Sequence, residues 1–424
     1  MKKITMSVVT LTTIMGSFSS ASAADSINIL DDLKLDAQIR PRYESVDDGD
    51  AATKNATAYT TRTKLKATGN LLDVDGLTAS VGVISVNDLG SNTYNSTSNG
   101  KSAYAVVADP EKAMISNAEI NYKIGDSILH AGRGGVNLDN QRFIGTVGWR
   151  QLERSYDSVF VANNSVENLS LLAAWVYGIQ GVKSLANNDG PYGENTYDTN
   201  SVLLHAAYSV MPELKVTMYD YMIASLHTTY GLALTGNLKM DSVKLNYRAE
   251  YALQKDSTMK IHDNDAKADA SYYNLDLGAN ISGILAGVNY EFLSGANASG
   301  TGTAFACTLG TNHKFNGWAD QFLATPSGGL IDANVRLGYK AKGLGRLLAV
   351  YHNFSTDTAM TLDTGSGTGD DLGSEFDVLY ANAIPGTKGL GGLLKYASYS
   401  KGTVGNKKDK QVLWVQLDYK FSTK

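Results

Sequence analysis

Proline is scarce in this sequence, at 6 residues, and cysteine is nearly absent, at 1. Proline cannot donate to a β ladder, so its rarity leaves room for long unbroken strands. The lone Cys307 excludes an intrachain disulfide and reads as an inert loop residue. Beyond Ala23 no apolar run is long enough to cross a bilayer as a helix. There is no linker or composition shift to divide the chain. Basic excess is missing too: the net charge is −5, and it grows more negative once Lys2 and Lys3 are set aside. That argues against a nucleic-acid partner, which would want a basic face. The 6 histidines are scattered without ligand spacing, and no H-E-x-x-H or G-x-S-x-G motif occurs. Asp263-Asn264-Asp265 and Asp73-Val74-Asp75-Gly76 lack the glutamate of an EF-hand loop. We therefore expect no enzyme, no metal site and no cofactor.

What is present starts with the leader. Met1-Lys2-Lys3 is a basic n-region, Ile4 to Phe18 is uncharged, and Ala21-Ser22-Ala23 offers the small residues of a cleavage site. Residues 1–23 thus read as a secretory signal and residues 24–424 as one domain. Glycine reaches 42 and tyrosine 24, a composition suited to strands and to the belts where membrane meets water.

The governing signal is period two. Leu33, Leu35, Ala37, Ile39 and Tyr43 alternate with Lys34, Asp36, Gln38, Arg40, Arg42 and Glu44, so one strand face is apolar and the other charged. The pattern returns over Val243 to Gln254, with Lys244, Arg248 and Glu250 on the polar face, and over Ile331 to Lys340, with Asp332, Arg336 and Lys340. The segments run to roughly 10–14 residues, against about 5–6 for soluble strands and about 9–11 for membrane strands. Strand cores are expected at 33–44, 57–70, 77–87, 115–125, 127–135, 156–163, 168–180, 199–210 and 215–225. They continue at 229–237, 242–254, 271–281, 284–294, 330–341, 346–356, 374–384, 391–401 and 411–421.

Connections between these cores alternate short and long, breaking the rule only near Leu226–Thr228. Short turns on one side and long loops on the other are the outer-membrane arrangement. The last core, with Leu413, Val415, Leu417, Tyr419 and Phe421 on one face, resembles the signal read by barrel-assembly machinery. The expected fold is all-β: a transmembrane antiparallel up-and-down barrel of about 18 strands in the outer membrane of a Gram-negative bacterium. Its partners would be outer-membrane lipid, lipopolysaccharide (with Lys407-Lys408 on an outside loop) and a small hydrophilic solute, as monomer or homotrimer.

A barrel of that size is too wide for its side chains to fill, which implies an aqueous channel. Arg40, Arg42, Arg62, Lys64, Lys66, Lys244, Arg248, Arg336 and Lys340 fall on the polar face with fewer acids, Glu250 among them. The lumen therefore reads as mildly basic and anion-preferring, or as a mixed-charge wall with no preference. The segment Asn137 to Arg154 holds Asn140, Gln141, Arg142, Trp149, Arg150 and Arg154, residues suited to a constriction folded into the lumen. A second loop, Gly295 to Gly329, carries His313, Lys314, Phe315, Trp318 and Asp320. These could contact a saccharide; the simpler role, expected first, is to pack the loop onto the barrel.

The run Asp139-Asn140-Gln141-Arg142-Phe143-Ile144-Gly145, then Gly148-Trp149-Arg150-Gln151 and Tyr156-Asp157, resembles the alginate-export-domain family of outer-membrane barrels. His313 to Asp320 and Tyr351-His352-Asn353-Phe354-Ser355 are similar to members of that group as well. The resemblance implies an eighteen-stranded barrel; its named exporter passes a polyanionic polysaccharide through an arginine-rich lumen, and many other members are porins. Here inward Asp and Glu accompany the Arg and Lys, so the resemblance points to a channel more than to polyanion export. Three readings follow in order: passive diffusion, selective export or uptake of an anionic saccharide or small acid, and a surface structural or adhesin barrel.

Overall fold

A computed structural model describes residues 29–91, 93–183, 196–259, 267–296 and 302–423. The leader at 1–23 and the acidic run 263–266 lie outside these residues. The chain forms 18 antiparallel strands. They are β1 (Leu30–Asp47), β2 (Ala56–Leu71), β3 (Leu77–Asp88), β4 (Lys112–Ile124), β5 (Ser127–Gly134), β6 (Ser155–Asn163), β7 (Leu169–Gln180), β8 (Thr196–Met211) and β9 (Leu214–Ile223). The second half comprises β10 (His227–Met240), β11 (Val243–Lys255), β12 (Asp269–Ile281), β13 (Ile284–Leu293), β14 (Leu330–Ala341), β15 (Gly345–Thr361), β16 (Thr368–Ala383), β17 (Leu390–Lys401) and β18 (Lys410–Ser422). Each strand pairs with its sequence neighbours, and β1 pairs with both β2 and β18, so the sheet closes and has no free edge. No helix among the described residues is long and apolar enough to cross a membrane.

Every expected strand core is a strand. The largest departure is β15–β16, which runs past the expected ends to Thr361 and from Thr368. The extension is rich in threonine, a good strand former, and a register shift between Ser355 and Met360 marks where it begins. Pro41 also sits inside a strand: Arg40 and Pro41 drop out of the β1–β18 register while β1–β2 stays continuous there. Having no N–H, proline can be carried only where the ladder tolerates a gap. The tight turn Ser282-Gly283 has φ of 51° and 94°, the left-handed geometry of a two-residue hairpin. A Cβ on Gly283 would lie 2.6 Å from the Lys340 carbonyl.

The alternation sorts the two faces. Ile39, Leu275, Val288, Val335 and Leu337 are exposed on the outside, whereas Glu250, Asp332 and Gln416 are buried on the inside. Outward aromatics gather toward the long-loop end, at Tyr59, Tyr177, Tyr230 and Tyr251, and toward the short-turn end, at Tyr208, Tyr339, Tyr380, Tyr419 and Phe421. Two such girdles flank the apolar band of a membrane barrel.

The packed core lies inside the barrel, between loops and wall. Phe143 of the β5–β6 loop packs 5.2 Å from the Tyr272 ring and 5.8 Å from Phe305 of the β13–β14 loop. Phe322 lies 4.7 Å from inward-facing Phe354. Leu337→Arg places a charge in the middle of the outer face of β14, 64% exposed in the protein alone. We expect it to cost about 2–4 kcal/mol in lipid, read as a lower urea midpoint in vesicles; an unchanged midpoint would place that face away from the hydrocarbon.

Candidate functional site

The lumen is crossed by two loops. The first, residues 135–154 between β5 and β6, is held to the β1–β2 wall by side chains of those strands. Arg40 donates to Gly148 O at 3.0 Å and Arg42 to Trp149 O at 2.6 Å. Gln151 of the loop donates to Thr60 Oγ1 at 3.0 Å, and Glu153 pairs with Arg62 at 2.7 Å and with Lys64. The same loop reaches the far wall, where Asp139 pairs with Arg248 of β11. There the Arg142 guanidinium forks onto Glu291 of β13 at 2.8 and 3.0 Å. A segment bound to both walls spans the space between them. Its path is strained at Val147, whose φ of 54° is an outlier for a β-branched residue.

The described part of the second loop, residues 302–329, lies against the first. Gly145 N donates to Leu309 O at 2.9 Å, Thr311 N to Gln141 O at 3.0 Å, and Arg154 Nη1 to Leu309 O at 2.6 Å. Arg142 also reaches Asn312 Oδ1 at 2.9 Å and Asn316 Oδ1 at 3.1 Å. The loops approach closely at Gly310, where a Cβ would sit 2.0 Å from Arg142 O. The second loop is fixed to β16 by Ala319 N, which donates to Glu375 Oε1 at 2.7 Å.

Where the two loops meet β17 and β18, Lys395 is buried. Its ammonium lies 4.1, 4.0 and 5.1 Å from the ring centroids of Trp149, Trp318 and Trp414. Cation–π attraction to three indoles replaces part of the lost hydration. The ammonium donates to His313 Nε2 at 2.7 Å, so His313 carries its proton on Nδ1, which donates to Asp320 Oδ1 at 2.7 Å. Arg150 completes the chain, pairing with Asp320 at 2.6 Å and with Glu44 of β1 at 3.3 Å. Trp149 stacks on His313 with centroids 4.8 Å apart.

The loop groups titrate accordingly. Burial, with Lys395 adding, pushes the His313 imidazole down to about 3, so it is neutral at ordinary pH. Burial alone would raise the Asp320 carboxyl, but His313 and Arg150 beside it hold it well below the usual carboxylate range. Glu153 and Asp139 behave alike: burial is outweighed by Arg62 and Lys64 in the first and by Arg248 in the second, and both carboxyls are lowered. Burial pushes the Cys307 thiol up to about 12, in keeping with an inert residue.

The expected site residues therefore separate. The loop Asn137 to Arg154 is bonded to wall side chains of β1, β2 and β13. Arg142, Arg150 and Arg154, expected to line a constriction, instead spend their guanidinium groups on Glu291, on Asp320 and Glu44, and on loop carbonyls. Trp149 is packed against His313 and Trp414. His313 and Asp320, offered as saccharide contacts, are internal to the loop–wall contact, whereas Lys314 and Trp318 border a cavity of about 340 Å³ with Asn140, Arg248 and Arg336. Gln141 gives its carbonyl to Thr311.

On the wall, Arg40 is directly opposite Arg62, Gln38 opposite Lys64 and Asp36 opposite Lys66. These cations are largely met by acids: Lys66 by Glu119 at 2.6 Å, Arg42 by Asp109 at 3.5 Å, Arg248 by Glu250 at 2.8 Å, and Arg336 by Asp276 at 2.6 Å. Among the described residues Lys244 and Lys340 have no ion-pair partner. Sequence reasoning passed over Lys395, Glu153, Asp109 and Glu291. Lys395 and Glu291 were findable, since alternation puts them on the inward faces of β17 and β13; the other two lie in loops whose course period-two patterning does not describe. Among the described residues no group of three or more His, Cys, Asp or Glu is placed to hold a metal.

The structure is similar to that of Acinetobacter baumannii OccAB4 at a TM-score of 0.70 and 15% identity, covering 94% of this chain and 100% of that one. Pseudomonas aeruginosa OccD3 (OpdP) matches at 0.70 and 15%, covering 93% of each. Pseudomonas aeruginosa OpdK, an outer membrane protein solved with vanillate, matches at 0.69 and 14%, covering 93% of this chain and 100% of its own. The chain has the fold of an outer-membrane porin. No protein-family model and no curated protein matches the sequence. The structural likeness lies with Occ-type barrels, so the narrower resemblance to the alginate-export family is not what the fold singles out.

Two outcomes follow from the tethers. Arg142→Ala leaves Glu291 buried without its partner, at a cost of about 3–5 kcal/mol. It should lower the urea midpoint and raise single-channel conductance, and Arg142→Met with Glu291→Leu should recover stability; wild-type behaviour of the single variant would rule out the tether. Because the Asp320, Glu153 and Asp139 carboxyls are depressed, the stability they lend is complete above about pH 4, the ordinary carboxylate value. It is lost as pH falls through their lower folded values. Asp320→Asn should therefore lower the urea midpoint by a constant amount from neutral pH to about 4, and the difference from the wild type should shrink only in stronger acid; a difference that vanishes near neutrality would contradict this.

Proposed function

We propose that the protein is an outer-membrane channel for small hydrophilic solutes, passing them by diffusion through a lumen narrowed by its two inward loops. The observation that carries this reading is the binding of one loop to opposite walls, Arg62–Glu153 on one side and Arg142–Glu291 on the other. A surface structural or adhesin barrel has no need to build a polar, loop-narrowed interior.

Selectivity for anions is modest in this reading. The first loop brings Glu153 and Asp139, and the β3–β4 connection brings Asp109, to wall cations that composition alone left unbalanced, so Lys244 and Lys340, without an ion-pair partner among the described residues, carry the remaining preference. Small acids are the anions favoured by this account, in line with the vanillate of the OpdK structure; polyanion export is disfavoured because the lumen arginines are already paired. The barrel acts as a monomer or homotrimer, with outer-membrane lipid and lipopolysaccharide around it and assembly machinery inserting it.

The test is conductance and reversal potential in planar bilayers. We expect open channels with a weak anion preference that fades as ionic strength rises, and Lys244→Glu with Lys340→Glu should turn it toward cations. A silent purified barrel would rule out the channel.

A further inference from the structure

The strand register gathers one row of polar side chains on the inner wall. Arg248 is opposite Asp276, Asp276 opposite Asn289, Asn289 opposite Asn334, and Asn334 opposite His352. Cross-strand partners share a face, so these residues form a continuous belt across the inner faces of β11 to β15. The belt floors the cavity of about 340 Å³, and Asn140, Lys314, Phe315 and Trp318 of the two loops roof it. That volume is at the small end of ligand pockets, about 300–1,000 Å³, so it suits a solute of one or two rings and not a polymer.

The arginines at the cavity are already paired. Arg336 is forked on Asp276 at 2.6 and 3.0 Å, and Arg248 is shared between Glu250, at 2.8 Å, and Asp139. Lys314 gives its ammonium to Asn140 O at 2.8 Å. Both arginines at the cavity are thus already held by carboxylates, and an incoming carboxylate would have to displace one to reach either. Four amides border it as well, Asn140, Asn274, Asn289 and Asn334; Asn289 and Asn334 already donate to Asp276 at 3.3 Å and Asp332 at 3.2 Å, and Asn140 Oδ1 accepts from Arg142 N. Asn274 is the most telling. It is 5% exposed, borders the cavity, and its amide has no hydrogen-bond partner among the described residues. An amide on the cavity wall without such a partner is free to donate to and accept from whatever enters. Phe315 and Trp318, with Leu348 and Val350, supply an apolar side.

Resting on the channel reading above, we infer that this cavity is a binding site for a neutral polyhydroxylated solute, a mono- or disaccharide held on its way through the lumen. Hydroxyls match amides and paired ions because each donates and accepts without bringing charge. The C–H faces of a sugar ring fit the apolar side.

The experiment is sugar block of the purified full-length protein in planar bilayers, with glucose, sucrose and gluconate as probes. Glucose or sucrose should reduce the single-channel current saturably, and more tightly than gluconate. Asn274→Ala should raise the half-saturating concentration about tenfold, the loss of one or two hydrogen bonds. Phe315→Ala should act in the same direction, with assembly of both variants checked by circular dichroism. Reduction that stays linear with concentration, tighter block by gluconate, or block unchanged in both variants would overturn the inference while leaving the channel reading standing. If the protein proves silent, the channel reading fails by itself. Quenching of tryptophan fluorescence by the same sugars in detergent then decides this one: saturable quenching weakened by Asn274→Ala supports it, and none overturns it.

Discussion

A sheet of eighteen strands that closes on itself encloses more space than its own inward side chains can reach across. In lipid the closure is obligatory, because each backbone N–H and C=O must find a partner within the protein. The interior is then either open water or space that loops must occupy. In this protein two loops occupy it, and they bring a hydrophobic core with them: Phe143, Phe305 and Phe322 meet inward aromatics of the wall. Most of the remaining structure inside the barrel serves to hold those loops in place.

The fastening is largely ionic, and its energetics are asymmetric. A buried pair such as Arg142–Glu291 adds little net stability relative to apolar packing, yet removing one partner is expensive. Such pairs therefore fix where a loop lies more than how strongly the barrel folds. The chain Lys395–His313–Asp320–Arg150–Glu44 works the same way. It alternates charge sign through a neutral imidazole, and three indoles around the ammonium keep the cation from standing unsolvated. Because the chain joins β17, both loops and β1, the two loops are positioned together and not one at a time.

The same fastening sets the electrostatics of the lumen. Counting inward Arg and Lys along the strands suggests a basic wall, with Arg40, Arg62, Lys64 and Lys66 side by side on β1 and β2. Glu153 and Asp109 come from loops remote in sequence and neutralise much of it. Arginines that seemed free to meet a solute, Arg142 and Arg150 above all, are buried against carboxylates. What a solute meets is instead the row of amides and paired ions on β11 to β15.

The barrel was legible in the sequence because its rule is local. Alternation at Leu33 to Glu44 or Ile331 to Lys340 reports directly on which face meets lipid, and each short turn returns the chain to the next strand. The one short link on the long-loop side, at 224–226, is where the alternation of short and long connections fails, as expected near Leu226–Thr228. The polar and aromatic character of the loop Asn137 to Arg154 was legible as well, and it marked the segment as a candidate for the lumen. The partners of its arginines were not, because Arg142–Glu291 and Arg150–Asp320 join residues brought together only when the barrel has closed and both loops have entered it. Sequence alone determined the strands, their order and their faces through period-two patterning. Tertiary structure alone decided which charges survive in the lumen, since that depends on distances across the barrel that no local pattern encodes.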